Sequence, residues 1–157
     1  MAQEIERKFL INSDAWRADV SRTEKYRQGY LSDSPECSIR VRISDDHAYL
    51  NIKSATLGVQ RTEYEYQVPL QDGEEMLASF CRKPVIVKTR YFVEYEGHVW
   101  EIDVFEGDNE GLIVAEIELD DEHEQFARPP WLGKEVSDDP RYYNVCLVEH
   151  PYKQWQD

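Results

Sequence analysis

Histidine and cysteine are scarce in this chain, long apolar runs are missing, and positive charge is in deficit. Four histidines, His47, His98, His123 and His150, form no HExxH or other ligand spacing, which sets aside a histidine-bound zinc centre. Cys37, Cys81 and Cys146 are scattered with no CxxC pair. Neither a disulfide framework nor a thiolate metal site is indicated, and a reducing cytoplasmic compartment is expected. No stretch approaches the roughly 20 apolar residues of a membrane helix, and the first residues carry no apolar signal core. Gly133-Lys134 lacks the rest of a phosphate loop, and GxSxG does not occur. The 18 Lys and Arg residues face 32 Asp and Glu, a net charge of −14. That balance disfavours non-specific binding to nucleic acid or to an anionic membrane, while leaving room for a local basic pocket.

What dominates instead is alternation. Period-two patterns predict strands over 3–11, 25–31, 37–44, 47–54, 60–68, 85–95, 98–105 and 112–119. Asp33-Ser34-Pro35, Asp45-Asp46 and Glu96-Gly97 are turn signals between them. The last two are short enough to make antiparallel hairpins. Helices are few: a short one after Ser13-Asp14 to about Val20, one over 69–80, one over 121–126, and one from about Arg141 to Glu149 ended by Pro151. The segment Arg128-Pro129-Pro130-Trp131-Leu132-Gly133 reads as an ordered loop. No repeat, low-complexity tract or linker divides the chain, so residues 1–157 read as one domain of the α+β class, mainly antiparallel β.

On these strands the charges come in doublets that share a face. Glu4 and Glu6 stand with Lys8; Arg40 pairs with Arg42, Glu63 with Glu65, Lys88 with Arg90, Glu101 with Asp103, and Glu116 with Glu118. Lys53 adds a cation near the end of its strand. A solvated sheet face is the simple account of any one doublet. Like charges ~7 Å apart repel by roughly 0.6 kcal/mol in water and about 2 kcal/mol at an effective dielectric of 20. They are therefore tolerable outside and costly inside, unless a counter-ligand is present. The few predicted helices would cover a wide apolar sheet face only if the sheet were strongly curved. An eight-stranded closed barrel with the charged face inward meets both conditions. Its cations call for a polyanion, Arg forks matching phosphate oxygens. Its carboxylates call for a bridging hard metal, Mg²⁺ or Mn²⁺, because the donors are oxygens only.

Glu4-x-Glu6-x-Lys8 resembles the ExExK signature of the CYTH superfamily, the triphosphate tunnel metalloenzymes. The resemblance extends through Ile39-Arg40-Val41-Arg42, Leu50-Asn51-Ile52-Lys53, Glu63-Tyr64-Glu65, Val87-Lys88-Thr89-Arg90, Glu101-Ile102-Asp103 and Glu116-Ile117-Glu118. It implies an eight-stranded antiparallel tunnel acting on a small-molecule triphosphate with a divalent metal. By this resemblance Glu4, Glu6 and Glu118 are metal ligands with Glu116 close by. Lys8, Arg40, Arg42, Lys53, Lys88 and Arg90 are phosphate clamps, and Glu63, Glu65 and Asp103 order water. The compact bacterial members, which the chain resembles most, imply hydrolysis of inorganic triphosphate. They also imply a Tyr30–Lys8 pairing, in which the ammonium lowers the phenol's pKa and makes Tyr30 a general base. A packed strand tyrosine is the other reading of Tyr30. Three alternatives stay open: a class IV-type adenylyl cyclase, a thiamine or nucleoside triphosphatase, and a polyphosphate-binding module without turnover. The sequence is compatible with a homodimer and assigns it no surface.

Overall fold

A computed structural model describes residues 3–34, 37–54 and 59–155. Its strands are β1 (Gln3–Ile11), β2 (Val20–Asp33), β3 (Cys37–Ser44), β4 (His47–Ser54), β5 (Gln60–Val68), β6 (Ile86–Tyr95), β7 (His98–Phe105), β8 (Ile113–Glu118) and β9 (Leu132–Glu135). Helix α1 (Leu70–Ser79) follows β5, and α2 (Asn144–Glu149) follows β9. The sheet order is β5-β4-β3-β2-β6-β7-β8-β1-β9, and an additional β5–β1 pairing closes the first eight strands into a barrel. All strand pairs are antiparallel. The expected barrel and its eight strands are therefore present.

The two short links are two-residue hairpin turns. Glu96 and Gly97 both have positive φ, as a turn matching the strand twist requires. Asp45 also takes a positive φ at the β3–β4 turn. The third predicted turn includes Pro35, which lies outside the described residues.

The closing seam is short. Among the described residues, Gln3, Glu4 and Ile5 pair with β5. Glu6 N–H then donates to the Val59 carbonyl at 2.7 Å, and farther along the same edge the Lys8 carbonyl accepts from Val136 N–H at 2.8 Å. Strand β9 thus takes over the edge that β5 leaves. This corrects the reading of 128–133 as loop throughout: from Leu132 the chain joins the sheet. Gly133 permits it, because a Cβ there would stand 2.9 Å from the Leu10 carbonyl oxygen.

Three helix expectations are also corrected. Residues 121–126 form a turn, because carboxylates capture the local backbone: Asp121 Oδ1 accepts from His123 N–H at 3.0 Å and Glu124 Oε1 from Asp120 N–H at 2.7 Å. The segment after Asp14 is a 3-10 helix, Ala15–Asp19. The last helix starts at Asn144 rather than Arg141, because Tyr143 is extended, with its hydroxyl bonded to the Ser137 carbonyl at 2.7 Å.

Two of the three apolar clusters lie outside the barrel wall. Ile5, Phe9, Trp100, Ile102, Ala115 and Ile117 point outward from β1, β7 and β8, and are covered by Trp16 and Trp131. On the opposite side α1 packs Leu77 against Val41, Ile43 and Ala48. The third cluster is inside: helix α2 places Leu147 and Val148 against Ile86, Phe105 and Val114, which share the inward parity of Lys88, Asp103 and Glu116, so that α2 packs into one end of the barrel. Among the described residues no helix is long and apolar enough to cross a membrane.

Gly73 lets α1 lie directly on β4, since a Cβ there would stand 2.5 Å from the Ala48 Cβ. Helix propensity alone would make Gly73→Ala stabilising by about 1 kcal/mol. The clash should reverse the sign and destabilise the protein by about 1–3 kcal/mol in urea unfolding. Adding Ala48→Gly should recover most of that loss. A stabilised single variant would show that α1 does not seat this closely.

Candidate metal and phosphate site

Because side chains alternate along each strand, the charged doublets all turn inward. They surround a cavity of about 300 Å³. From β1 it receives Glu4, Glu6 and Lys8; from β3, Arg40 and Arg42; from β4, Lys53; from β5, Glu63 and Glu65. β6 supplies Lys88 and Arg90, β8 supplies Glu116 and Glu118, and Tyr30 enters from β2. Of the charged residues singled out in the sequence, Glu101 and Asp103 do not line the cavity; Glu101 lies 3.3 Å from Arg90. Asp103 is wholly buried behind the cations.

Asp103 organises one wall. Its Oδ1 accepts from Arg90 Nε at 2.7 Å, and its Oδ2 accepts from Arg90 Nη2 at 2.9 Å and Lys88 Nζ at 2.7 Å. Arg90 Nη2 continues to Glu116 Oε1 at 3.1 Å, and Lys8 Nζ reaches Glu116 Oε2 at 2.6 Å. Lys8 also donates to Glu6 Oε1 at 3.0 Å. Its partners are thus Glu116 and Glu6, and not Tyr30. Burial alone would depress Lys8, but Glu116 and Glu6 outweigh it and hold the ammonium above the ordinary lysine pKa.

The remaining cations are crowded. Burial, with Arg40 and Arg90 nearby, pushes Arg42 down to about 10. Burial and Arg40 also lower Lys53. Lys88 falls to about 7 through burial and the proximity of Arg90 and Arg42, against the opposing pull of Asp103. Each of these shifts marks positive charge that the protein leaves under-compensated, and an anion would relieve all three.

The opposite excess stands beside it. Oxygens of Glu4, Glu6 and Glu118 lie within 4.8 Å of one another. Partial burial, and repulsion from Glu101, Glu6 and Glu4, push Glu118 up to about 7. Glu4 Oε1 is buried with no hydrogen-bond partner, its nearest cations being Lys53 at 3.5 Å and Arg61 at 3.8 Å. A hard divalent cation fits this set: three carboxylates converge, one buried oxygen is unpartnered, and no nitrogen or sulfur donor competes. Glu116 stands apart from the three, tied to Lys8 and Arg90.

On the far side Asn51 Nδ2 donates to Glu65 at 2.8 Å and Glu63 at 3.1 Å. Glu63 also lies 3.7 Å from Arg40 and 3.6 Å from Lys53. Asn51 and Arg61 were legible, since they share the inward parity of Lys53 and Glu63. Gln28 was legible in the same way, two residues before Tyr30. Asn144, which lines the cavity from α2, carries no sequence signal.

Comparison with known proteins agrees with this geometry. A family model described as the CYTH domain matches residues 2–143. The chain is 46% identical over 157 residues, covering all of both proteins, to an inorganic triphosphatase of Acetivibrio thermocellus. It is 36% identical over 150 residues to an inorganic triphosphatase of Nitrosomonas europaea, covering 92% of this chain and 96% of that one. A crystal structure of an inorganic triphosphatase superposes with a TM-score of 0.68 at 32% identity, covering 94% of this chain and 95% of that one. With the family model spanning most of its length and its ExExK strand forming one wall of the tunnel, the chain belongs to the CYTH family.

Proposed function

We propose that the protein is a cytoplasmic triphosphatase that hydrolyses inorganic triphosphate to pyrophosphate and orthophosphate, with Mg²⁺ or Mn²⁺ bound by Glu4, Glu6 and Glu118. The observation that carries this reading is the opposed excess of charge in one small cavity. Positive charge crowds around Arg40, Arg42, Lys53 and Lys88, and negative charge around Glu118. A polyanion bridged to a cation satisfies both at once. The lining is almost wholly charged or polar, with Val145 its one aliphatic residue among the described ones. It offers little surface for a nucleobase or a thiazolium. The names of the relatives support the inorganic substrate.

Glu4, Glu6 and Glu118 would hold the metal, with Glu116 positioned by Lys8 and Arg90 to accept part of its coordination shell. When bound, the divalent cation neutralises charge on the phosphoryl oxygens as the bond breaks. Arg40, Arg42 and Lys53 grip the phosphate chain, and Lys8, Lys88 and Arg90 present the N–H groups left over from their carboxylates. Glu63 and Glu65, held by Asn51, orient the attacking water and accept its proton. Tyr30 lines the same cavity, but the Lys8 ammonium is engaged by Glu116 and Glu6, so the carboxylates are the preferred base. Asp103 does not touch the substrate; it sets Lys88 and Arg90 in place.

The direct test is a substrate panel with Mg²⁺ and Mn²⁺, scored for orthophosphate, pyrophosphate and cyclic AMP. Orthophosphate released chiefly from inorganic triphosphate is expected; cyclic AMP from ATP would overturn the assignment, and binding without release of phosphate would reduce the protein to a polyphosphate-binding module. Glu6→Ala and Glu118→Ala should each abolish metal-dependent turnover in a folded protein. In the wild type, metal at 100 times its dissociation constant should add about 2.7 kcal/mol of stability, a thermal shift that Glu118→Ala loses. Full activity in both variants would remove the metal from this triad. Arg40→Ala should weaken triphosphate binding about 10- to 100-fold. Its Tm should hold or rise, because Arg40 crowds Arg42 and Lys53; a collapsed Tm with normal binding would contradict the clamp role.

A further inference from the structure

Asn144 is the first residue of α2, and its side chain reaches the cation wall from outside the barrel strands. Its Oδ1 accepts from Lys88 Nζ at 2.9 Å and from Gln28 Nε2 at 3.0 Å. Both amide orientations are forced by their neighbours. Lys88 has only protons to offer, so the Asn144 atom facing it is the oxygen. Arg42 Nε donates to Gln28 Oε1 at 2.8 Å, which leaves Gln28 Nε2 for Asn144. Gln28 is wholly buried, so neither amide has water as a ready substitute on that side.

Lys88 Nζ has a second acceptor, Asp103 Oδ2, at 2.7 Å. An ammonium carries three protons in tetrahedral directions. Two are committed, to Asp103 and Asn144, and the third is left for the cavity that Lys88 lines. With Asp103 alone the ammonium would pivot about a single hydrogen bond. A neutral oxygen is the suitable second tether, because a carboxylate there would cancel the charge that the phosphate needs.

We propose that Asn144 is a substrate-positioning residue: its side-chain oxygen, together with Asp103, fixes the Lys88 ammonium so that its remaining N–H meets a phosphoryl oxygen. The C-terminal helix is thereby part of the phosphate site. The inference rests on the triphosphate reading above. If Asn144 did no more than begin α2, its loss would be felt in stability and would not pass through Lys88.

A double-mutant cycle separates the two. Wild type, Asn144→Ala, Lys88→Met and the double variant are titrated calorimetrically with inorganic triphosphate in metal-free buffer, where turnover does not interfere. Asn144→Ala is expected to weaken binding about tenfold and Lys88→Met about 100-fold. The double variant should bind within about twofold of Lys88→Met, since Asn144 has nothing left to position. Independent, multiplying losses would overturn the inference. If Asn144→Ala proves unstable, Asn144→Ser, which keeps a polar helix start, takes its place in the cycle with the same expectation. A wild type that neither binds nor hydrolyses triphosphate would overturn the proposed function and this inference together. A wild type that does both, with multiplying variants, overturns this inference alone.

Discussion

The rest of the site depends on a buried carboxylate. Asp103 has no exposed surface, yet it carries a charge, and it is affordable there only because Arg90 grips it with two N–H groups and Lys88 with a third. Removing a charge from water costs several kcal/mol even after relaxation, and pairing offsets that only with full hydrogen bonding. From this anchor the pairing passes outward. Arg90 engages Glu116, Glu116 engages Lys8, and Lys8 engages Glu6, one of the three convergent carboxylates. The three convergent carboxylates and the cation wall are therefore two ends of one chain of ion pairs.

Along that chain compensation is complete at the centre and incomplete at the ends. Lys8 and Glu116 are each held in their charged forms by opposite partners. Arg42, Lys53 and Lys88 are pushed toward neutrality, and so is Glu118. Perturbations of both signs in one cavity are what an ion-binding site produces, whereas in a purely structural network partners stabilise each other's charge throughout. The ligand implied is itself a pair of opposite charges.

Most of this arrangement was legible in the sequence because a strand's period of two converts spacing directly into facing. Glu4 and Glu6, Arg40 and Arg42, Lys88 and Arg90 could be placed on one surface without knowing how the strands pair. Which of them touch was not legible, since that depends on register: Lys8 meets Glu116 because β1 and β8 set those two residues opposite each other. For the same reason Asp103 and Glu116 looked alike in the sequence, yet one is packed behind the cations and the other faces the cavity. Strand β9 escaped notice because four residues after a proline pair carry too little pattern, and its place is set by the edge that β5 vacates. Asn144 escaped because nothing local marks it; a distant helix brings it to Lys88.

The distribution of polarity also explains why so few helices suffice. A flat eight-stranded sheet with one apolar face would need a full layer of cover. Closure turns the charged face inward and spreads the apolar face over a convex wall, which is shielded in patches. Trp16, Trp131 and the residues around Phe126 cover Phe9 and Trp100, and α1 covers β3 and β4; α2 instead fills one end of the barrel against Ile86, Phe105 and Val114. The barrel therefore folds mainly on its exterior and at the end that α2 fills, and the charged part of its interior is relieved of the task of holding the chain together. That division of labour is what allows the lumen to keep charges in unfavourable excess, ready for a ligand that supplies the balance.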